Sequence, residues 1–309
     1  MKHGKLAAIL PAFLIAGIFS FVFIDSGLSA PQKNLMAGTA KILITPSTPL
    51  PMSGYGGRKD PFKGVHDDLY ARVIVFSDGQ NKAAVIAAEL IGLSNAFWED
   101  ITKKIETETG IKKDFILLSC IHTHSGPVTT VYGEDDSAEV LAYVDSLKIK
   151  LIKATREAMK NMVPASIGAG KGECRMNTNR RAMDGKGGIS LGVNPYAPCD
   201  HEVGVIRVDD KSGNPIALLM NWPCHAVVLG PKNYLITNDW PGAASNYAEK
   251  GLGDKVIAPV IVGASGDINP VYGPHIDFET NSSYSYGKDA IGEDLANESM
   301  RVKIGRAHV

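Results

Sequence analysis

The hydrophobic pattern of the chain alternates between short apolar runs and longer amphipathic stretches. Apolar runs bounded by Gly, Pro, Asp or Asn are typical of buried strands. They cover Leu35–Ile44, Asp67–Phe76, Lys82–Leu90, Phe115–Cys120, Ala165–Ala169, Val203–Val208, Pro215–Met220 and Val256–Val262. Apolar residues at helical spacing predict helices. These cover Ser94–Thr109, Ser137–Met162, Trp240–Lys250 and Gly287–Lys303. Strands that alternate with helices indicate an α/β fold.

Two pairs of strands have the pattern of β-hairpins. Asp78-Gly79 joins the first pair and is a strong hairpin signal. The second pair, joined through Asp209–Gly213, has a similar pattern, which suggests a duplicated unit. Hairpins bring antiparallel strands into the fold, so we expect mixed β-sheets with flanking helices. Ligand sites in such folds lie at the carboxyl-terminal ends of the strands.

Two segments have the composition of loops. Pro49–Arg58 is rich in Gly and Pro, and its glycines suit tight turns or a close approach to a ligand. Cys174–Cys199 has many Gly, Asn and Arg residues without a period, which predicts a long loop. Four cysteines fit an oxidising compartment without requiring a disulfide. Cys174 and Cys199 flank the second loop and could pair, but the sequence does not choose among the pairings.

The N-terminal segment, residues 1–30, has the parts of a signal peptide. Lys2 and Lys5 precede the apolar run Leu6–Ile24, and small residues follow at Ser26–Ala30, so we expect cleavage near Ala30. The alternative is an uncleaved membrane anchor, because the run is about long enough to span a bilayer. Both alternatives predict that the rest of the chain is exported, to the periplasm or out of the cell.

The composition is that of a globular protein with 309 residues, 44% of them hydrophobic, and a formal net charge of −1. No basic stripe stands out, which argues against nucleic acid as a partner.

The most informative chemical pattern is His122-Thr123-His124, which follows an apolar strand and precedes Ser-Gly-Pro. Residues i and i+2 of an extended chain share a face, so both imidazoles are expected to point into one cleft. Imidazole is the commonest metal ligand and titrates near neutral pH. The pattern therefore predicts metal binding or acid–base chemistry; the alternative is a pair of ordinary polar residues at a strand end.

Further polar residues lie where other predicted strands end. His225 follows one strand, Asp267 and Asn269 follow another, and Glu89 is an additional candidate at the exit of the first hairpin. Three such exits favour one shared site. Taken singly, His225 is better explained by core packing, and Asp267 is equally explained as a turn residue.

Several motifs together resemble the N-terminal catalytic domain of the neutral/alkaline non-lysosomal ceramidase family. They occur in family order across residues 31–303, at Ala37–Lys41, Thr45-Pro46, Ser53–Gly57, His66–Arg72, His122–Pro127, Asn179-Arg180, Asn221–His225, Asp239–Gly242 and Gly266–Pro270. The resemblance implies a zinc-dependent hydrolase of a carboxamide, of the N-acylsphingosine type.

The resemblance also implies roles for individual residues. By motif position His122 and His225 match two zinc ligands, and His124 matches the acid–base or second-shell histidine beside them. Arg180 matches the arginine that contacts the substrate or the developing oxyanion; a solvated loop charge is the alternative. Zinc lowers the pKa of its bound water to about 7, which makes it a nucleophile at neutral pH.

Three acidic or amide side chains are expected to contact the substrate: Asp239, Asp267 and Asn269. For Asp239 a helix-cap role is an equal alternative. The family carries Ser where this chain has Asn269. Because an amide is not a nucleophile, hydrolysis by metal-bound water is expected, and ceramide as the substrate is left open.

The family's other two zinc ligands, a Glu and a Tyr, are expected beyond residue 309. We interpret Ile304–Val309 as translated sequencing adapter and the chain as a C-terminally truncated fragment that is itself inactive. Two alternatives stay open, namely an exported metallohydrolase of a different amide or ester and a catalytically inactive binding domain. The expected partner is a small-molecule or lipid amide, with membrane-surface contact if it is a lipid. The oligomeric state is not readable from the sequence.

Overall fold

The computed structural model of the protein describes residues 35–129, 137–253, 255–273, 282–303 and 305–306. The expected signal peptide or anchor, residues 1–30, lies outside the described residues. The strands are β1 (Met36–Leu43), β2 (Gly64–Val65), β3 (Tyr70–Ser77), β4 (Lys82–Ala88), β5 (Ile116–Cys120), β6 (Val163–Glu173), β7 (Asn177–Met183), β8 (Ile189–Asn194), β9 (Glu202–Asp210), β10 (Pro215–Trp222), β11 (Leu235–Ile236), β12 (Val260–Val262), β13 (Ile268–Pro270) and β14 (Gly305–Arg306). The helices are α1 (Asn95–Thr109), α2 (Ala138–Lys160), α3 (Asp239–Leu252) and α4 (Ser282–Arg301), with one 3₁₀ turn at Lys113–Phe115.

The main sheet has the strand order β12-β10-β9-β6-β1-β3-β4-β5, and β14 pairs with β6. An antiparallel contact between β1 and β6 joins its two halves. One half contains the hairpin β3–β4, then α1, then β5 parallel to β4. The other contains the hairpin β9–β10, then α3, then β12 parallel to β10. The α/β fold with mixed sheets is confirmed, and the two halves repeat the order of elements that the similar hairpins suggested.

Alternating side chains of the strands pack on two different sides. Val73 of β3 belongs to the buried cluster that contains Leu147 of α2, whereas its neighbour Ile74 belongs to another cluster, with Val208 and Ala217 of the other half. This follows from the period of two in a strand. A third cluster packs β9 and β10 against α3 and α4. The halves of the sheet therefore face each other, and helices cover the outer faces.

The first helix begins and ends where the sequence predicts, and α2 begins as predicted but ends at Lys160, two residues before the predicted Met162. The Ser94 hydroxyl accepts a hydrogen bond from the N–H of Phe97, and Gly110 ends α1 with a left-handed φ of 71°. Ser137 caps α2 in the same way, accepting from the N–H of Val140. Both arrangements satisfy backbone groups that a helix end leaves unpaired.

The predicted loop over Cys174–Cys199 is wrong for most of its length. β7 and β8 form a hairpin, and β13 pairs with β7 to complete a separate sheet. β7 begins with Asn-Thr-Asn-Arg-Arg and gives no apolar alternation, and Asn has low strand propensity. β8 does alternate, with Ile189, Leu191 and Val193, a short signal that the loop prediction missed. β7 also pairs with β13, a strand almost ninety residues away in sequence, which no local pattern reveals.

Three predicted boundaries also differ from the structure. β6 extends to Glu173, well beyond the short strand Ala165–Ala169, because β9 pairs along its whole length. β12 begins only at Val260, and α4 begins at Ser282. All four cysteines are free thiols, so the Cys174–Cys199 pairing is not formed. Within the described ranges, no helix combines the length and the apolar character needed to cross a bilayer.

Candidate metal centre

Three histidines from two strand exits meet at one point. His122 and His124 follow β5, and His225 follows β10. The loops run side by side, because Thr123 pairs with Ala226 and the N–H of His124 donates to the carbonyl of Ala226 at 3.1 Å. Ring centroids are 4.8 Å apart for His122 and His225, 4.9 Å for His122 and His124, and 5.5 Å for His124 and His225.

The backbone brings His122 to this point by a left-handed turn. β5 ends at Cys120, and His122 has a φ of 62°. The extended-chain alternation invoked for His122 and His124 is therefore the wrong reason for their proximity. A left-handed conformation at a non-glycine residue costs about 1–3 kcal/mol and is typical of functional sites. Here the N–H of His122 donates to the carbonyl of Leu90 at 3.0 Å, which helps to hold the turn.

Two of the three imidazoles are oriented by backbone carbonyls. Nδ1 of His122 lies 2.9 Å from the carbonyl oxygen of Ile91, and Nδ1 of His225 lies 2.6 Å from that of Ser265. A carbonyl only accepts, so Nδ1 carries the proton in both rings and Nε2 keeps its lone pair. Metal-binding histidines are oriented in this way by their surroundings.

His124 has neither ring nitrogen paired, although both are buried. Burial and, to a smaller extent, the neighbouring His122 lower the pKa of His124 to about 3 and that of His225 to about 4. Neutral imidazole is the form that binds a metal. One potential ligand atom from each of the three rings lies within 4.8 Å of the other two. Among the described residues, this is the group of three or more metal-binding side chains that could hold one ion. Buried, unpaired nitrogens in a set of neutral imidazoles fit a divalent cation.

A glycine in the first loop packs directly on this cluster. A Cβ built on Gly54 would lie 2.6 Å from Cγ of His124, and Gly54 has a φ of 102°. Both the space and the conformation require glycine. The predicted close approach of this loop is thus an approach to a histidine ring.

Arg58 links the loops around the histidines. Its guanidinium donates to four backbone carbonyls in three loops. They belong to Ser53, to His124, and to the neighbours Gly230 and Pro231. It also lies over the ring of Tyr55, 4.7 Å from the centroid. The Tyr55 ring meets the His124 ring edge-on at 5.0 Å, and its buried hydroxyl has no hydrogen-bond partner. Sequence reasoning assigned neither residue a role, because the contacts join distant parts of the chain. The signals were the Gly-rich loop and, for Tyr55, the family motif Ser53–Gly57 that contains it.

Arg180 and Asn269 lie on the paired strands β7 and β13. Nη1 of Arg180 donates to Oδ1 of Asn269 at 3.3 Å, and its Nε is buried without a partner. Burial and the neighbouring Arg181 lower the pKa of Arg180. Asn269 is thus hydrogen-bonded to Arg180. Asp267 pairs with Arg181 at 2.6 Å on the exposed side, and it also lines an open cavity of about 830 Å³.

Asp239 is 1% exposed, with a φ of 53°. Its carboxylate accepts from the N–H of Trp240 at 2.8 Å and of Leu229 at 3.4 Å. Burial raises the pKa of Asp239 to about 6. The indole N–H of Trp240 in turn donates to the carbonyl of His225 at 3.0 Å. These contacts give Asp239 a part in shaping the His225 loop. The N-cap position is Asn238, whose side chain makes no capping bond, whereas the Asp239 carboxylate pairs an N–H of the first turn. Asp239 therefore stabilises the helix start as well as the loop.

Glu89 lies in a buried ionic network. It pairs with Arg72, which is 1% exposed and also bonds Glu249 of α3. Asn238, next to Asp239, donates to Glu89 at 3.2 Å. The network connects β3, the residue that follows β4, and α3.

Comparisons with known proteins agree with this arrangement. The sequence model of the neutral/alkaline non-lysosomal ceramidase N-terminal domain matches residues 36–285. Neutral ceramidase A of Dictyostelium discoideum is 28% identical over 230 residues, which are 71% of this chain and 32% of that protein. Neutral ceramidase B of the same organism is 26% identical over 266 residues, or 80% of this chain and 37% of that protein. The chain therefore spans about a third of the length of these curated relatives.

The fold also matches a solved structure. The crystal structure of neutral ceramidase from Pseudomonas aeruginosa superposes with a TM-score of 0.71 and 18% identity, over 87% of this chain and 44% of that chain. The match confirms the α/β architecture, while the family assignment rests on the sequence match over most of the described chain. On that evidence, the chain belongs to the neutral/alkaline non-lysosomal ceramidase family.

Proposed function

We propose that the protein hydrolyses a lipid carboxamide of the ceramide type with the help of a zinc ion. The observation that carries the proposal is the histidine cluster, in which the carbonyls of Ile91 and Ser265 orient two imidazoles. The family supports the reaction class, because the relatives it matches are named neutral ceramidases.

His122 and His225 would hold the ion through Nε2. A zinc ion supplies an activated water and polarises a carbonyl group. The two carbonyl contacts keep the imidazoles in the required tautomer, so less reorganisation is needed when the ion binds.

His124 would handle the proton. Its nitrogens have no partner, and burial disfavours the imidazolium form. A proton taken up on this ring is therefore readily passed on to the leaving amine nitrogen. Arg180 would donate to the carbonyl oxygen as negative charge develops there. Asn269 would fix the guanidinium of Arg180 through its Oδ1.

Direct substrate contact for Asp239 and Asp267 stays a prediction, and the contacts of both favour positioning roles. Asp239 faces backbone N–H groups, and Asp267 faces Arg181.

Asn269 favours one second candidate, the hydrolysis of an amide other than ceramide. Its carboxamide cannot attack a carbonyl and is already bonded to Arg180, so water is the required nucleophile. The family motif has Ser at this position. The replacement of Ser by Asn269 is therefore expected to change the substrate, and this can be tested.

Four further proposals concern the organisation of the chain. They are export, a leader at residues 1–30, a catalytic domain over 31–303 and an adapter-derived end at 304–309. Resequencing the gene past codon 303 tests the adapter proposal. Codons there that encode a different sequence support the proposal, and a natural stop codon after Val309 contradicts it. Membrane-surface contact likewise stays a prediction.

The decisive experiment uses the full-length protein from the resequenced gene. Zinc content and hydrolysis of a fluorescent ceramide are measured beside a panel of short N-acyl amines. We expect one zinc ion per chain and hydrolysis of at least one long-chain amide. Zinc binding with hydrolysis of short amides alone would support the second candidate, and absence of both would leave a binding domain of the same fold.

A further inference from the structure

Tyr55 has a fixed ring and an unused hydroxyl. The ring lies between the edge of His124, at 5.0 Å, and the guanidinium of Arg58, at 4.7 Å. The hydroxyl is buried and has no hydrogen-bond partner. Buried polar groups nearly always have a partner, and leaving one unpaired is unfavourable. An unpaired polar atom on a side chain held in place on both sides calls for an explanation, and a partner supplied by a bound ligand is one.

The loop that carries Tyr55 is anchored to the histidine loop. The N–H of Ser53 donates to the carbonyl of Gly126 at 2.9 Å, and the Ser53 hydroxyl donates to the carbonyl of Pro127 at 3.0 Å. Gly54 packs on the His124 ring. Tyr55 therefore cannot turn its hydroxyl away from the site without disturbing contacts on both sides.

A second buried donor is also unpaired. Nε of Arg180 has no partner, and the Arg180 charge acts on the Tyr55 hydroxyl along with the charges of Asp239 and Arg58. A phenol O–H and a guanidinium N–H both require an acceptor. Among the described residues no side chain supplies one to either atom. An oxygen atom of a ligand that carries negative charge would satisfy both.

We propose that Tyr55 is a catalytic residue, whose hydroxyl donates a hydrogen bond, together with Arg180, to the carbonyl oxygen of the substrate as that oxygen becomes negative. The inference rests on the proposed amide hydrolysis and adds a residue to it. The carboxylate of the fatty-acid product presents the same kind of oxygen, so it binds to the same two donors.

The test is Tyr55→Phe in the full-length, zinc-loaded protein. The change removes one oxygen and keeps the ring between His124 and Arg58. Tyr234→Phe is the matched control, because the ring of Tyr234 lies 5.9 Å from the same Arg58 guanidinium but makes no ring contact with the histidines. For both variants we would measure kcat and KM on the cleaved amide, affinity for dodecanoate, zinc content and Tm.

For Tyr55→Phe we expect kcat to fall about 100-fold with a smaller change in KM, as when one oxyanion donor is removed. Dodecanoate affinity should fall about tenfold. Zinc content should be unchanged, and Tm unchanged or higher because an unpaired buried hydroxyl is lost. Tyr234→Phe should match the wild type throughout.

Three results would overturn the inference. Wild-type kcat and dodecanoate affinity in Tyr55→Phe would mean that the hydroxyl does not touch the substrate. A lower Tm without a change in dodecanoate affinity would mean a structural role, and lost zinc would mean a role as metal ligand. If the wild type cleaves no amide, the proposed function fails. The ratio of the dodecanoate affinities of the wild type and Tyr55→Phe still decides whether the Tyr55 hydroxyl is a donor.

Discussion

Replacing Gly54 with alanine tests whether the Gly-rich loop shapes the histidine cluster. The new Cβ would lie 2.6 Å from Cγ and 2.7 Å from Nδ1 of His124, whereas ordinary van der Waals contact begins at 3.4 Å. The ring must therefore retreat by about 0.8 Å, or the loop must move away from it. Retreat of the ring is opposed by the hydrogen bond from the His124 N–H to Ala226.

Two costs add in the Gly54→Ala variant. A φ of 102° strains any residue with a Cβ, by about 1–3 kcal/mol. Overpacking adds about 1–3 kcal/mol. We expect the free energy of unfolding to fall by about 2–6 kcal/mol. Because a 1 Å misplacement of a reacting group costs about 100-fold, kcat on the cleaved amide should fall by a similar factor.

The assay is urea denaturation followed by circular dichroism, with kcat measured on the folded fraction. Gly56→Ala is the control, since a Cβ there meets nothing within 4 Å. It should change the free energy of unfolding by less than about 0.5 kcal/mol. If Gly54→Ala and Gly56→Ala are equally stable and equally active, the loop does not pack on His124 and the reasoning is refuted.

Two further variants probe the residues around the cluster. Asn269→Ala removes the acceptor for Nη1 of Arg180. We expect kcat to fall about tenfold, as for the loss of a hydrogen bond to a charged group, while zinc content stays constant. An unchanged kcat would show that Arg180 does not depend on Asn269. Burial raises the folded-state pKa of Asp239 to about 6, against about 3.9 unfolded, so its contribution to stability is present below pH 3.9 and is lost as pH rises through 6. Asp239→Asn should abolish this loss of about 2–3 kcal/mol in urea titrations between pH 4 and 6; the same pH dependence in both proteins would contradict the raised pKa.

Elements with a strong local signal were predictable from the sequence. The two hairpins follow from apolar alternation around Asp78-Gly79 and a similar turn, and α1 begins at its Ser94 cap. The meeting of His122 and His225 was also within reach, because polar residues at neighbouring strand exits converge. In each case the cause lies within a few residues of the feature or in a general rule of sheet topology.

The remaining features depend on contacts between distant residues. β7 pairs with β13 through backbone hydrogen bonds that leave no hydrophobic period. The left-handed φ of His122 has no sequence signal at a non-glycine position. Arg58 acquires its role only when the loop at Gly230 folds against it. A Gly-rich loop indicates close approach but not which residue is approached, so Tyr55 was not identifiable.

The central claim is that His122 and His225 hold one zinc ion together. Its most direct test is a zinc titration against a competing chelator, with the wild type, His122→Ala, His225→Ala and the double variant of the full-length protein. We predict one ion per chain in the wild type, at least about a 100-fold loss of affinity in each single variant, and little additional loss in the double variant. Stoichiometric, tight zinc binding in either single variant would contradict a shared ion.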